Sequence, residues 1–389
     1  MKHYGIDTLS FYTSHYCIDL AALASARGID VNKFYVGLGQ QKMGVLAPDE
    51  DIVTLEANAA KRALRDTKLD DIGTVLFATE SGIDQSKSAG VYVQRLLGLS
   101  PHCRVIEMKQ ACYSGTAAIQ MAVGLLQRWP DKKVLVIMSD VARYGLGSRG
   151  ESSQGCGAVA AVISQNPRLL AIEPEAGLYT DDIMDFWRPN YRDEAFVDGH
   201  YSTKMYMQAL VESFDDYSQH SGRKFKDHTH HCYHVPIPRL VEKAHKHLTA
   251  HCGVELSEES MKALLEPQLV YSRRVGNCYT ASLYLSLISL LDNVKSDLAG
   301  QRIGFYSYGS GCVAEYFSGI VMPHYQNVLD AQHNKNMLDS RTLLSYKQYE
   351  DFYRYKLPQD GSQCVTPAHP SGAFRLAGVD RHQRIYEKV

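Results

Sequence analysis

The segment VIEMKQACYSGTAA, Val105 to Ala118, places Cys112 between a strand-like run and an apolar helix. A helix beginning near Ser114 leaves free N–H groups and the positive end of its dipole beside the thiol. That position lowers a thiol pKa and favours the thiolate, the form that attacks a carbonyl carbon. The small residues from Ser114 to Ala118 leave room for a ligand to approach. A cysteine at such a hinge is equally what a packed core contains, so other residues must decide. Two further strand ends carry chemistry. TVLFATES sets Glu80 just beyond an apolar run, where a carboxylate is costly unless solvated or used. HTHHCYHVPIP sets His234 at the end of another strand. A nucleophile, a carboxylate and an imidazole at strand ends suit acyl and proton transfer. Sites in open α/β sheets gather where strands end.

Two other motifs point elsewhere and lose on context. GLGSRG, Gly145 to Gly150, matches a dinucleotide fingerprint, but a loop and a strand follow it instead of a helix. Pyrophosphate needs a helix N-terminus there, so the segment reads as a flexible glycine-rich loop. HTHHCYH suggests a metal. On a strand, His228, His230, Cys232 and His234 share one face and His231 the other, and no second ligand cluster accompanies them. The expectation is no metal.

The elements that must position these residues alternate. Strands are expected at YGIDTLSFY, GTVLFAT, CRVIEMK, KVLVIMS, CGAVAAVIS, HHCYHV and RIGFYSY. Helices are expected from Ile18 to Gly28, at an amphipathic DIVTLEANAAKRALRDT, at SAGVYVQRLLGL and in a buried run after Cys112. Later ones are expected at TKMYMQALVESFDDY, PRLVEKAHKHL and GNCYTASLYLSLISLLDN. This alternation indicates an α/β protein whose sheets are covered by helices. The chain has 389 residues, 45% of them hydrophobic and 22% charged, with a formal net charge of -2. That composition supports a large core and argues against nucleic-acid and membrane partners. The start of the chain lacks the apolar run of a secretory signal, and ASLYLSLISLL is too short to span a bilayer, so a cytoplasmic protein is expected. Nine cysteines without a CxxC pair argue against a disulfide framework. From about Asp330 the chain is polar and tyrosine-rich; it reads as a surface helix and an irregular tail, either solvated or at a subunit contact.

Eight blocks taken together resemble the 3-hydroxy-3-methylglutaryl-CoA (HMG-CoA) synthase family. They are KFYVGLGQQKMGV, ATESGID, EMKQACYSGTAA, VLVIMSDVARYG, DFWRP, YHVPIPRLVEKA, RRVGNCYTASLYLSL and GFYSYGSGCVAEYFSG. They follow the family's order and run to about residue 320; the length is similar to its compact bacterial form. The resemblance implies a thiolase-like fold of two similar α/β halves with layered sheets and buried helices. The halves are expected at 1–165, with Glu80 and Cys112, and 166–389, with His234, Asn277 and Ser310 and a polar tail. It also implies a homodimer. The implied reaction condenses acetyl-CoA with acetoacetyl-CoA and water, giving HMG-CoA and free CoA on the mevalonate route to isoprenoids, with no cofactor.

Residue by residue, the resemblance implies that Cys112 carries the acetyl group, Glu80 is the general acid/base and His234 serves the acetoacetyl site. Asp140 and Asp185 match supporting acids. Asn277 and Ser310 match residues that hold the acyl group, and Ser202 a substrate-contacting serine. Lys243 matches a CoA-contacting lysine, and Arg239 stands where animal enzymes have lysine. Ser153 replaces the usual threonine. Asp30 matches a loop near the CoA entrance. The blocks KQACYSGTA and YGSGC are also similar to synthases that install β-branches on polyketides from acyl carrier proteins. The overall length and the N-terminal blocks favour the CoA-dependent enzyme. A ketoacyl synthase would pair its cysteine with a His-His or His-Asn set, and a non-catalytic thiolase-fold scaffold has no use for these three residues together.

Overall fold

A computed structural model describes residues 3–370 and 372–389. Nine strands form one continuous sheet: β1 (Tyr4–Tyr12), β2 (Ile72–Ala78), β3 (Arg104–Met108), β4 (Lys133–Ala142), β5 (Gly155–Gln165), β6 (Leu170–Thr180), β7 (His230–Tyr233), β8 (Arg302–Gly309) and β9 (Val313–Val321). In space they run β7-β8-β9-β6-β1-β5-β4-β2-β3. Helices α1 (Ile52–Ala63), α2 (Ala89–Leu97) and α3 (Ser114–Arg128) connect the first strands, and α4 (Gly199–Ser221), α5 (Pro238–His251) and α6 (Ser282–Asn293) the later ones.

The strand order contains a repeat. β1-β5-β4-β2 in the first part matches β6-β9-β8-β7 in the second, with one parallel and two antiparallel pairings in each. The halves join where β1 meets β6 through Gly5↔Ala171 and Ile6↔Leu170. Glu80 follows β2 and His234 follows the corresponding β7; Cys112 precedes α3 and Asn277 precedes the corresponding α6. One apolar cluster takes residues from α3, α6 and both half-sheets, including Ala118, Ile119, Leu287, Val136 and Phe305. A second packs α1 and α2 on the first half-sheet, and a third packs α4 and α5 on the other. The result is the layering of a thiolase-like fold.

Four expectations need correction. The first helix starts at Leu20, because Tyr16–Asp19 is extended and pairs with Lys42–Val45. Helix α1 is buried on more than one face: the consecutive Ile52, Val53, Thr54, Leu55, Glu56 and Ala57, which go all around its circumference, are buried. The cause is the third correction, since the C-terminal tail is ordered. It contains helices Ala331–Asp339 and Tyr346–Arg354 and a three-stranded sheet of Cys364–Val365, Phe374–Asp380 and Gln383–Lys388. Phe374, Leu376 and Tyr386 of this sheet join the cluster around α1. Asp51 caps α1 through Oδ1 and accepts from Tyr386 Oη at 2.6 Å and Arg384 at 3.0 Å through Oδ2. The tail therefore closes over the first half of the chain. Lastly, α3 is buried on one side only, and Met121 is 56% exposed.

Replacing a buried aromatic by alanine removes contacts and leaves a cavity, at a cost of about 3–5 kcal/mol. Tyr386→Ala is expected to lower the unfolding free energy by that amount, read as a lower urea midpoint, while leaving activity per folded molecule unchanged. An unaltered midpoint would show that the tail is not part of the folded body.

Candidate active site

The nucleophile candidate sits on a strained turn. Ala111 has φ +45°, in the left-handed region that a Cβ disfavours, directly before Cys112. The Ser114 hydroxyl braces this turn, accepting from Gln110 N–H at 2.5 Å and donating to the Ala111 carbonyl at 2.8 Å. Gly115 is small for packing instead of ligand access: a Cβ there would lie 2.8 Å from both Met138 Sδ and the Thr280 carbonyl. This corrects the reading of Ser114 to Ala118 as open space.

Cys112 Sγ lies 3.1 Å from Glu80 Oε1. Burial and the neighbouring Glu80 push the thiol well above its ordinary range. The expected helix-start thiolate is thus absent from the resting site, because desolvation and a facing carboxylate outweigh a dipole worth about 0.3–2 kcal/mol. Burial, then Asp140, push Glu80 up to about 8. Near neutral pH the thiol therefore keeps its proton and Glu80 is largely protonated as well; in the ionised fraction the thiol donates to the Glu80 carboxylate.

Asp140 anchors Glu80. Its Oδ1 accepts from Thr79 Oγ1 at 2.8 Å, Glu80 N–H at 2.9 Å and Ser81 Oγ at 2.8 Å. Its Oδ2 accepts from Thr280 N–H at 3.1 Å and Thr280 Oγ1 at 2.5 Å. Arg188 donates to the Glu80 carbonyl from the opposite side.

His234 is buried, its N–H donating to the Tyr306 carbonyl at 2.8 Å. Its Nδ1 is buried with no hydrogen-bond partner, and burial holds the ring down at about 3, so it is a neutral imidazole. It makes no direct bond to Glu80 or Cys112. Tyr206 touches both environments: its hydroxyl donates to the His234 carbonyl at 2.7 Å, and the charge of a Cys112 thiolate acts on its phenol.

The remaining expected residues fall into two groups. Asp185 accepts from Tyr308 Oη at 2.7 Å, Ser202 Oγ at 3.1 Å and Gly311 N–H at 3.0 Å, so it joins α4 to the loop of Ser310. The Ser310 carbonyl accepts from Gln110 Nε2 at 3.4 Å, two residues before Cys112. Asn277 donates to Tyr144 Oη at 3.3 Å and accepts from Tyr279 N–H at 2.9 Å. The Ser153 carbonyl accepts from Asn277 N–H at 3.2 Å, while its hydroxyl turns back to Gly150 at 2.8 Å. Asp30, Arg239 and Lys243 do not meet the cysteine; all three are exposed. Arg239 N–H donates to the Leu38 carbonyl at 3.0 Å, which brings the loop after Asp30 against the start of α5, and its guanidinium pairs with Glu242.

An aromatic wall escaped the sequence reading. Tyr144, Phe186 and Tyr279 stand edge to face with centroids 5.8–6.2 Å apart, and both phenols feel the charges of Glu80 and Cys112. Tyr144 lies in a loop, Phe186 in a two-residue strand and Tyr279 in a single 3-10 turn, all too short to show a periodicity, and the signal available was their place in the matched blocks. The histidine run also needs correction. His228 precedes the strand and meets His231, with ring centroids 5.2 Å apart; their ring nitrogens bond Tyr217 at 2.9 Å and Tyr316 at 2.6 Å. Among the described residues, no group of three or more His, Cys, Asp or Glu is arranged to hold a metal.

Comparisons with known proteins identify the family. Residues 1–167 match the family model described as hydroxymethylglutaryl-coenzyme A synthase N terminal, and 249–387 the corresponding C-terminal model. The chain is 43% identical over 363 residues to a hydroxymethylglutaryl-CoA synthase of Enterococcus faecalis, covering 93% of this chain and 94% of that one. It is 36% identical to the polyketide biosynthesis 3-hydroxy-3-methylglutaryl-ACP synthase PksG of Bacillus subtilis, covering 90% and 88%. It also superposes on a crystal structure of an HMG-CoA synthase complexed with CoA, with a TM-score of 0.95, 38% identity and complete coverage of both chains.

The Glu80 value has a consequence for stability. The unfolded carboxyl titrates near 4.5 and the folded one at about 8, so between those values the native state holds the extra proton and stability falls as pH rises. Glu80→Gln removes that penalty. Urea unfolding should find the variant more stable than wild type at pH 8.5, with the gap closing by pH 4.5; a gap independent of pH would contradict the raised value.

Proposed function

Because the chain belongs to the hydroxymethylglutaryl-coenzyme A synthase family, we propose that it condenses acetyl-CoA with acetoacetyl-CoA and water through an acetyl-Cys112 intermediate. The product is 3-hydroxy-3-methylglutaryl-CoA with release of CoA, on the mevalonate route. The observation that carries the residue roles is the 3.1 Å contact between Cys112 and Glu80.

The steps follow from the protonation states. In the fraction of molecules with Glu80 ionised, it takes the Cys112 proton as sulfur attacks the acetyl thioester, and that proton leaves with the CoA thiolate. One thioester replaces another, so the exchange is nearly balanced. Glu80 then removes a proton from the acetyl methyl, a task suited to a carboxyl pushed up to about 8. The resulting carbon nucleophile attacks the ketone of acetoacetyl-CoA. His234, neutral in its buried site, donates a hydrogen bond to the ketone oxygen instead of a full proton. The proton held by Glu80 completes the new hydroxyl. Water then cleaves the Cys112 thioester and restores the thiol.

Asp140 and Asp185 hold the reacting loops, and Asn277, Ser310 and Ser202 line the acyl site with the aromatic wall. Arg239 and Lys243 on α5, with the loop of Asp30, form a cationic rim suited to CoA phosphates. No helix among the described residues is long and apolar enough to cross a membrane, in keeping with a cytoplasmic enzyme. A homodimer is favoured by the sheet edge β3, which leaves one side unpaired and Ile106 46% exposed. The halves 1–165 and 166–389 each contribute one side of the site. The higher identity to the CoA-dependent relative favours free CoA thioesters over carrier-bound ones.

Mass spectrometry after incubation with acetyl-CoA should find one acetyl group, on Cys112 and not on Cys156 or Cys278, and none in Cys112→Ala. Glu80→Ala should still acetylate slowly but accumulate the acetyl-enzyme, since methyl deprotonation is lost. His234→Ala should acetylate normally and lose turnover with acetoacetyl-CoA. Turnover of an acetoacetyl carrier protein in preference to acetoacetyl-CoA would overturn the substrate assignment.

A further inference from the structure

Glu315 is a buried carboxylate that the reaction does not use. It lies on β9 between Ser307 of β8 and Leu178 of β6. It shares the strand face of Phe317, which packs in the central apolar layer, whereas Ala314 and Tyr316 face the layer of α4 and α5. Only 3% of it is exposed. A carboxylate there costs several kcal/mol unless strong donors reach it. Two do, and both come from the other half of the chain. Tyr113 Oη donates at 2.7 Å and Gln120 Nε2 at 2.6 Å. These residues stand seven apart on one face of α3, so one carboxylate fixes the helix along its axis and in rotation. Tyr113 is the N-cap residue of α3, has no side-chain cap of its own, and directly follows Cys112.

The other end of this link matters equally. β9 pairs with β8 along its length, and β8 pairs with β7, whose next residue is His234. The path from Cys112 through Tyr113 and Glu315 to β9, β8 and His234 is therefore one short side-chain bond followed by two strand ladders, with Gln120 as a second brace on Glu315. We propose that Glu315 is a positioning residue for the condensation: through Tyr113 it sets Cys112 at the distance from His234 that carbon–carbon bond formation requires. This rests on the roles proposed above for Cys112 and His234.

The two half-reactions separate this role from a general structural one. Acetylation needs Cys112 and Glu80, which lie in the same half. Condensation also needs the alignment across halves, where a displacement of about 1 Å costs on the order of 100-fold. Glu315→Ala is expected to acetylate Cys112 within about threefold of wild type in single turnover, with condensation by the isolated acetyl-enzyme slowed on the order of 100-fold. Glu315→Gln, whose oxygen still accepts from Tyr113, should recover most of the loss. Tyr113→Phe should show the same split, and adding it to Glu315→Ala should slow condensation no further. Parallel loss in both half-reactions, no rescue by glutamine, or additive effects in the double variant would overturn the proposal. If the alanine variant does not fold, Tyr113→Phe and Glu315→Gln carry the same comparison. Failure of wild type to acetylate at Cys112 would instead overturn the site assignment.

Discussion

Asp140 is a carboxylate with no measurable exposure and five donors, and the site depends on it. Three donors come from the Thr79–Ser81 turn after β2 and two from Thr280, just before α6. One side chain thus ties the loop of Glu80 to the opposite half of the chain. Five hydrogen bonds to a charged acceptor are worth about 1.5–3 kcal/mol each. Those bonds offset much of a desolvation cost of several kcal/mol. Asp140 can therefore stay ionised although burial pushes its pKa up. Arg188, donating to the Glu80 carbonyl, offsets part of the effect of that charge on Glu80.

That charge explains the unusual proton distribution around it. Glu80 lies next to an ionised Asp140 at a half-buried position and holds its proton to about 8. Cys112, facing Glu80, is driven the same way. A thiol forced to ionise beside two carboxylates would be a poor nucleophile by itself. With Glu80 3.1 Å away, the proton needs only to cross one hydrogen bond as the sulfur attacks. The arrangement therefore replaces a standing thiolate with a base in contact. The same carboxylate is then free for the methyl proton, which an unperturbed glutamate would remove far less readily.

Much of this was legible in the sequence. Seven of the nine strands described in the large sheet and most helices follow from hydrophobic runs, whereas β6 and β9 were not expected; the strand-end positions of Glu80, Cys112 and His234 follow from where those runs stop. What the sequence did not show is what acts on each group from a distance in the chain. The thiol pKa was misjudged because the helix dipole is visible locally, whereas Glu80 stands 32 residues away. Helix α1 was read as amphipathic because the sheet burying its outer side begins more than 300 residues later, at Cys364. The roles of Tyr144, Phe186, Tyr279 and Glu315 likewise depend on contacts between halves, which no periodicity encodes.

The repeat in the sheet gives those contacts their logic. Corresponding positions in the two halves carry Glu80 and His234, and again Cys112 and Asn277. A duplicated frame brings the ends of β2 and β7 to one place without requiring either half to build a whole site. The chemistry diverges because the surroundings do. Glu80 sits beside Asp140 and is pushed towards holding a proton, whereas His234 sits among Tyr206 and Tyr306 and is pushed towards losing one. Burial disfavours the charged form in both cases. For an acid that yields a base working near neutral pH, and for an imidazole a neutral hydrogen-bond donor. Under the proposed function, one physical effect applied to two residue types at equivalent positions therefore supplies both the proton acceptor and the carbonyl donor that a condensation between two thioesters needs.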